Sequence, residues 1–146
     1  MKILIISPGK AHDATAREGI LEYEKRLKQF SLEWAHPKVA DKDTESLAIM
    51  KLIKDGDYVV LLDERGRDID TPGLARLIDS HRQAGVKRLV FVIGGAFGVG
   101  ELVAQRTNIT LKLSSLVLPH MLVRLVLVEQ LYRASSILAG GKYHHA

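Results

Sequence analysis

Apolar residues along this chain gather in short continuous runs, separated by stretches in which they recur every three or four positions. Lys2–Ser7 is one such run, closed by Pro8-Gly9, and reads as a buried strand. In Thr15–Phe30 the positions Ile20, Tyr23, Leu27 and Phe30 share one helical face, and Thr15 with Glu18 fits a capping box. Leu32-Glu33-Trp34 alternates and predicts a second strand, ended by Pro37. After the polar loop Lys38–Asp43, Thr44 is placed to cap a helix with Leu47, Met50 and Ile53 on its face, stopped by Asp55-Gly56. Tyr58–Leu62 predicts a central strand and Asp63–Arg67 a loop beyond it. Thr71 and Pro72 read as N-cap and first residue of a helix carrying Leu74, Leu77 and Ile78, closed by Gly85. Arg88–Ile93 predicts another buried strand, Gly94–Gly98 a glycine bend, Glu101–Arg106 a short helix, and Ile109–Leu113 a last strand. Pro119–Leu138 predicts a long helix, after which Gly140-Gly141 releases the tail Lys142–Ala146.

Strands alternating with helices argue for an α/β fold, a mostly parallel sheet with flanking helices, in a single domain over residues 1–146. Such sheets bind ligands beyond the C-terminal ends of their strands. Asp63–Arg67, Gly94–Gly98 and Ser114–Leu118 all leave such ends, so they are candidates for one pocket.

Composition narrows the classes. The chain has no cysteine, which excludes disulfides and thiolate metal sites. Its first residues turn polar too soon for a signal peptide, and His120, Arg124 and Glu129 interrupt the longest apolar stretch, so no membrane span is expected and the location expected is cytoplasmic. A net charge of +4, from 21 basic and 17 acidic residues, permits an anionic partner such as RNA without requiring one.

The glycine bend resembles a phosphate loop only superficially. Its order is not that of a dinucleotide fingerprint, and Glu101-Leu102 stand where a Walker loop needs Lys and Ser or Thr. Taken alone it reads equally as a tight turn. Leu113–Leu118 fits either core packing or a loop whose main-chain groups hold a flat ligand such as adenine. On the last helix His120, Arg124 and Ser135 share a narrow face, with Glu129, Arg133 and Ser136 opposite and apolar flanks between. One flank can cover the sheet; the other calls for a partner, most simply a second copy of the chain. His120 and Arg124 fit either rim ion pairs or recognition of a polar substrate. Tyr143-His144-His145 fits either a frayed tail or one that folds over an active site, bringing stacking and proton transfer. No metal site is expected, because the adjacent histidines lack a third ligand. His12, His36 and His81 read as surface residues.

Several of these segments, in this order, resemble the bacterial large-subunit pseudouridine-N3 methyltransferases, small members of the SPOUT superfamily. The matching positions are Leu62-Asp63-x-x-Gly66, Val92-Ile93-Gly94-Gly95-x-x-Gly98, Leu113-Ser114, Leu118-Pro119-His120, Arg124, Glu129-Gln130-x-Tyr132-Arg133-Ala134 and Tyr143-His144, spread over the full length. The resemblance implies a C-terminal trefoil knot, a homodimer with its sites near the interface, and methylation of N3 of a pseudouridine in 23S rRNA of the assembled ribosome. It implies S-adenosylmethionine held by Leu62, Gly94, Gly95 and the loop Leu113, Ser114, Ser115, Leu116, Val117 and Leu118. Arg124, His120, Tyr143 and His144 are then expected around the target base, His144 as proton acceptor. The chain departs from the family pattern at Lys142, at His145, where a basic residue is usual, and in the short loop Lys38–Asp43. Two other functions fit the same residues: a SPOUT enzyme acting on another rRNA or tRNA base, and a non-catalytic dimeric module that binds a nucleotide-like ligand.

Overall fold

A computed structural model describes residues 1–95 and 97–145. Five strands, β1 (Lys2–Ile6), β2 (Ser31–Ala35), β3 (Tyr58–Asp68), β4 (Arg88–Ile93) and β5 (Ile109–Lys112), form one sheet in the order β2-β1-β4-β3-β5. Every pairing is parallel. The helices are α1 (Ala14–Arg26), α2 (Lys42–Leu52), α3 (Thr71–Gln83), α4 (Glu101–Arg106) and α5 (His120–Leu138). The expected α/β class and parallel sheet are therefore present.

Parallel strands buried on both faces should be apolar throughout, and β1 and β4 are. Ile3, Ile5, Phe91 and Ile93 face one layer of core with Val60, Leu74, Ile78, Leu127, Val128 and Leu131, beneath α1, α3 and α5. Leu4, Ile6, Val90 and Val92 face the other, with Ile49 and Val103 beneath α2 and α4. Successive residues thus feed opposite layers.

The helix starts differ from expectation in one consistent way. The N-caps are Asp13, Asp41 and Asp70, whose Oδ1 atoms accept from the backbone N–H groups of Ala16, Thr44 and Gly73 at 2.8, 2.9 and 2.7 Å. Thr15, Thr44 and Thr71 lie inside the helices they were expected to cap. An aspartate carboxylate offers a charged acceptor that the positive helix end favours, so it wins over a nearby threonine hydroxyl. At its other end α1 stops at Arg26, with Leu27 as C-cap, although Leu27 and Phe30 still reach the core.

Two other differences bear on the site. The inward face of α2 is Glu45, Ser46 and Ile49, not Leu47, which is 54% exposed. And β3 does not end at Leu62. It bulges between Leu62 and Arg67, both of which pair with Leu111, and runs on to Asp68. Gly66 permits this, since a Cβ there would lie 2.6 Å from the Leu111 carbonyl carbon.

α5 packs against α1 on one side and α3 on the other, over the same sheet face. Its two apolar flanks thus find partners within the chain, and of its residues only Leu122 is exposed. The flanks alone therefore do not demand a second subunit. Arg124 and Ser135, expected on a polar stripe, lie on the buried face.

Below the sheet, Arg88 Nε donates to Asp57 Oδ1 at 2.9 Å, and the Lys54 N–H donates to Asp57 Oδ2 at 2.7 Å. Burial pushes the Asp57 carboxyl up, but the Arg88 hydrogen bond, the Lys54 N–H and the charges of Arg88 and Arg106 outweigh it and hold the group below its ordinary 3.8. A depressed carboxyl stabilises the fold fully above its unfolded pKa and loses that effect as pH falls through the folded one. Arg88→Met should cost about 3 kcal/mol near neutral pH, read as a urea midpoint. The deficit should shrink as the pH falls below 3.8; a deficit independent of pH would exclude the ion pair as its source.

Candidate functional site

The C-terminal ends of β1, β3, β4 and β5 open into one cavity of about 960 Å³, the size of a small-molecule site. Pro8 and Gly9 follow β1, Asp63–Arg65 form the bulge of β3, and Gly94, Gly95, Phe97 and Gly98 follow β4. Leu113, Ser114 and Leu116–Leu118 follow β5. His120, Val123 and Arg124 enter from α5, Lys42 and Glu45 from α2. Every residue expected around the cofactor lines this cavity except Ser115, which is exposed.

The glycines have separable reasons. Gly98 has φ of +81°, which side chains with a Cβ rarely adopt, and its N–H closes a turn on Gly95 O at 3.0 Å. A Cβ on Gly95 would lie 2.7 Å from Glu45 Oε1. At Gly94 the clearance is 3.3 Å to the Gly98 backbone, tight but less severe. In the loop after β5, Ser114 Oγ accepts the Leu116 N–H at 2.9 Å, which fixes the bend and leaves Leu116 and Val117 75% and 82% exposed at the rim. That segment is thus a cavity wall, with Leu113 at its start also packed against the core.

Arg124 is buried to 1% exposure, yet among the described residues no carboxylate meets it. Its Nε donates to Ser7 Oγ at 2.7 Å, and one terminal nitrogen donates to the carbonyls of Pro8 and Gly9 at 3.0 and 2.8 Å. The other terminal nitrogen, Nη1, has no partner among the described residues. The rim ion pair considered from sequence is not found among the described residues: the partners are Ser7 Oγ and backbone carbonyls in the interior. Burial lowers the Arg124 pKa from its ordinary value, but a guanidinium stays charged at neutral pH.

His120 completes the group. Ser7 Oγ lies 2.7 Å from His120 Nε2. Because Ser7 Oγ already accepts from Arg124 Nε, its own proton goes to Nε2, and Arg124 also points an N–H at that atom from 3.2 Å. Nε2 is therefore an acceptor, and the neutral ring carries its proton on Nδ1. Desolvation, then the Arg124 charge, lower the His120 pKa below 6.5, while the Pro8 carbonyl pulls weakly the other way.

Tyr143 and His144 stand elsewhere. The Tyr143 hydroxyl donates to Glu129 Oε1 at 3.2 Å and lies 3.4 Å from the Tyr23 hydroxyl. Its ring meets Tyr132 edge-on, and Arg133 lies 4.5 Å from its centroid. His144 Nδ1 is 3.5 Å from Arg133 Nη1, and Arg133 pairs with Glu129 at 2.6 Å. Burial, then the Tyr23 hydrogen bond and the Glu129 charge, raise the Tyr143 pKa far above its usual 10, so the phenol keeps its proton. Glu129 follows His120 by nine residues, about 13 Å along the axis and on the opposite face. Within one chain the described residues of the tail do not line the cavity.

Sequence reasoning missed Glu45, hidden on a face assigned to apolar residues, and Ser7, whose role depends on an arginine 117 positions away. His12 was read as mere surface; it is exposed but lines the cavity mouth with Lys10, Lys42 and Arg65. His36 is exposed too, though its Nδ1 lies 2.9 Å from Ser7 O, whereas His81 is half-buried against Tyr58. Among the described residues no cluster of His, Cys, Asp and Glu could hold a metal ion.

His120 should titrate below 6.5 by NMR. The folded chain binds that proton less readily than the unfolded one, so the stabilisation is full above 6.5 and is lost as pH falls through the folded value. His120→Asn should remove this acid-side loss from the urea midpoint. A midpoint at or above 6.5 for the ring would refute the neutral assignment.

Comparison with known proteins places this geometry. The family model for predicted SPOUT methyltransferases matches residues 1–144. The chain is 42% identical to a protein of Arabidopsis thaliana provisionally named an RNA methyltransferase, covering 99% of this chain and 80% of that one. It is 37% identical to the ribosomal RNA large subunit methyltransferase H of Streptococcus agalactiae, over 99% of both, and 35% identical to that of Geotalea daltonii, over 99% and 100%. A whole-length family match and relatives of this similarity lead to one conclusion: the chain belongs to the SPOUT methyltransferase family.

Proposed function

We propose that this protein transfers a methyl group from S-adenosylmethionine to N3 of a pseudouridine in 23S rRNA of the assembled ribosome, as a cytoplasmic homodimer with the C-terminal trefoil knot of its family. The observation that carries this reading is the cavity at the ends of four parallel strands, walled by a glycine bend and an apolar loop and floored by Arg124 and His120, both hydrogen-bonded to the buried Ser7. The names of the Streptococcus and Geotalea relatives support an rRNA substrate.

The cavity suits the cofactor's chemistry. Leu62, Ile93, Leu113, Leu116 and Leu118 offer apolar contact for a purine, and the Gly94–Gly98 bend allows close backbone approach. Leu62, Gly94, Gly95 and the Leu113–Leu118 loop are assigned to holding it, Ser115 through the backbone of that loop. When bound, S-adenosylmethionine supplies a methyl group already activated on a sulfonium sulfur, so the chemistry asks for no metal.

The remaining work falls to the chain. N3 of a pseudouridine lies between two carbonyl groups, and losing its proton spreads negative charge onto their oxygens. Arg124 holds a positive charge at the cavity floor that no carboxylate among the described residues cancels, which favours such an anion. Neutral His120, with its proton on Nδ1, is suited to donate to a base oxygen rather than to take the N3 proton. His144 is kept as proton acceptor, with protonated Tyr143 as a stacking and donor group beside it. Since the tail does not line its own chain's cavity, these two residues act at the cavity of a second copy. The exposed apolar Leu116, Val117 and Leu122 offer that copy a contact surface.

In cells lacking this protein, mass spectrometry should find one large-subunit pseudouridine without its methyl group. Retention of every such methyl overturns the substrate, and loss from transfer RNA instead favours a different SPOUT specificity. In purified protein, His144→Ala should slow methyl transfer by about a hundredfold or more while leaving cofactor affinity within about twofold. Unchanged turnover removes His144 from the chemistry.

A further inference from the structure

Among the described residues three side-chain carboxylates line the cavity: Asp63, Glu64 and Glu45. Asp63 is neutralised, since both its oxygens accept from Arg65 at 3.1 and 3.0 Å. Glu64 is exposed to water. Glu45 differs from both. It is 6% exposed, forms no ion pair among the described residues, and has one hydrogen bond there, from the Ala40 N–H to Oε2 at 2.8 Å. Its other oxygen, Oε1, lies beside the glycine bend, 2.7 Å from where a Cβ of residue 95 would stand. A carboxylate this buried is costly unless a cation or strong donors meet it. The neighbouring helix is anchored by neutral means, with Ser46 Oγ accepting the Gly100 N–H at 2.7 Å, so α2 does not need a charge here to hold the bend.

From this placement we infer that Glu45 is a binding residue for the cofactor, its Oε1 receiving the α-ammonium of the amino-acid end; this rests on the S-adenosylmethionine reading above. Two cationic centres could be candidates, and chemistry separates them. The sulfonium loses its charge during transfer, so a carboxylate beside it would stabilise the starting state and oppose the reaction. The ammonium keeps its charge throughout, so a carboxylate there binds reactant and product alike. A buried anion at the bend opposite the cation at Arg124 also gives the amino-acid end of the ligand a defined place and direction. Gly95 is then required because any side chain would displace Oε1 from the position that receives the amine.

The test uses S-adenosylhomocysteine, which has the ammonium but no sulfonium, and its deaminated analogue, which has neither. By calorimetry the intact chain should bind S-adenosylhomocysteine roughly tenfold to a hundredfold more tightly than the deaminated analogue. Glu45→Gln retains an acceptor for the Ala40 N–H and should bind both ligands with the same, weaker affinity. Gly95→Ala keeps the charge but moves Oε1, and should erase the preference too, which provides a second reading should the glutamine variant unfold. Equal binding of both ligands by the intact chain, or a preference that survives in both variants, overturns the role of Glu45. A Glu45→Gln penalty larger for S-adenosylmethionine than for S-adenosylhomocysteine overturns it in favour of the sulfonium. An intact chain that binds neither nucleoside fails the cofactor reading itself, a result distinct from the others.

Discussion

A buried guanidinium held by a hydroxyl and two carbonyls ties the last helix of this structure to its first strand. Arg124 reaches from the last helix to the exit of the first strand and is met there by Ser7 Oγ and the carbonyls of Pro8 and Gly9. Desolvating such a charge costs several kcal/mol, and carbonyl dipoles repay it only when they are fixed in place. The Ser7–Gly9 turn and the start of α5 therefore behave as one unit, despite a separation of more than a hundred residues. Carbonyls satisfy donors without cancelling charge. A carboxylate partner would have left the cavity floor neutral; the carbonyl set leaves it positive, which is what a substrate acquiring negative charge needs.

The same arrangement sets the state of His120. With Ser7 taking a hydrogen bond from Arg124 and passing its own to Nε2, the imidazole has no freedom to exchange tautomers without breaking the chain of donors. A histidine held neutral beside a fixed cation is a donor to oxygen. On the proposed reading proton removal then comes from elsewhere: the aromatic and charged group around Glu129, Arg133, Tyr143 and His144 sits about 13 Å further along α5 and on its opposite face. One helix thus carries two chemically distinct ends, which the proposed dimer would join.

The sheet and the cavity wall were legible in the sequence because buried parallel strands are written as unbroken apolar runs, and β4 and α4 match their expected bounds. The helix caps were not, because threonine and aspartate both signal a start and only their competition for the same N–H groups decides. β3 was cut short because the polar residues of its bulge look like a loop; the pairing that extends it depends on Leu111 and on the missing side chain of Gly66. One flank of α5 is expected to need a second subunit because periodicity reports that a face is covered without saying by what.

Glu45 was illegible for a deeper reason. Helical periodicity ranks positions by hydrophobicity, so a buried charge looks like solvent-facing surface and shifts the apparent phase of the whole helix onto Leu47 and Met50. Its position shows only when α2 is laid against the glycine bend. There Gly95 and Glu45 explain each other: the absent Cβ makes the room that the carboxylate oxygen occupies. A glycine kept free for backbone flexibility would need no such neighbour, and Gly95, unlike Gly98, has no left-handed φ to require it. On the cofactor reading the constraint at this position is electrostatic: one cavity is lined by a carboxylate at the bend and by the guanidinium of Arg124.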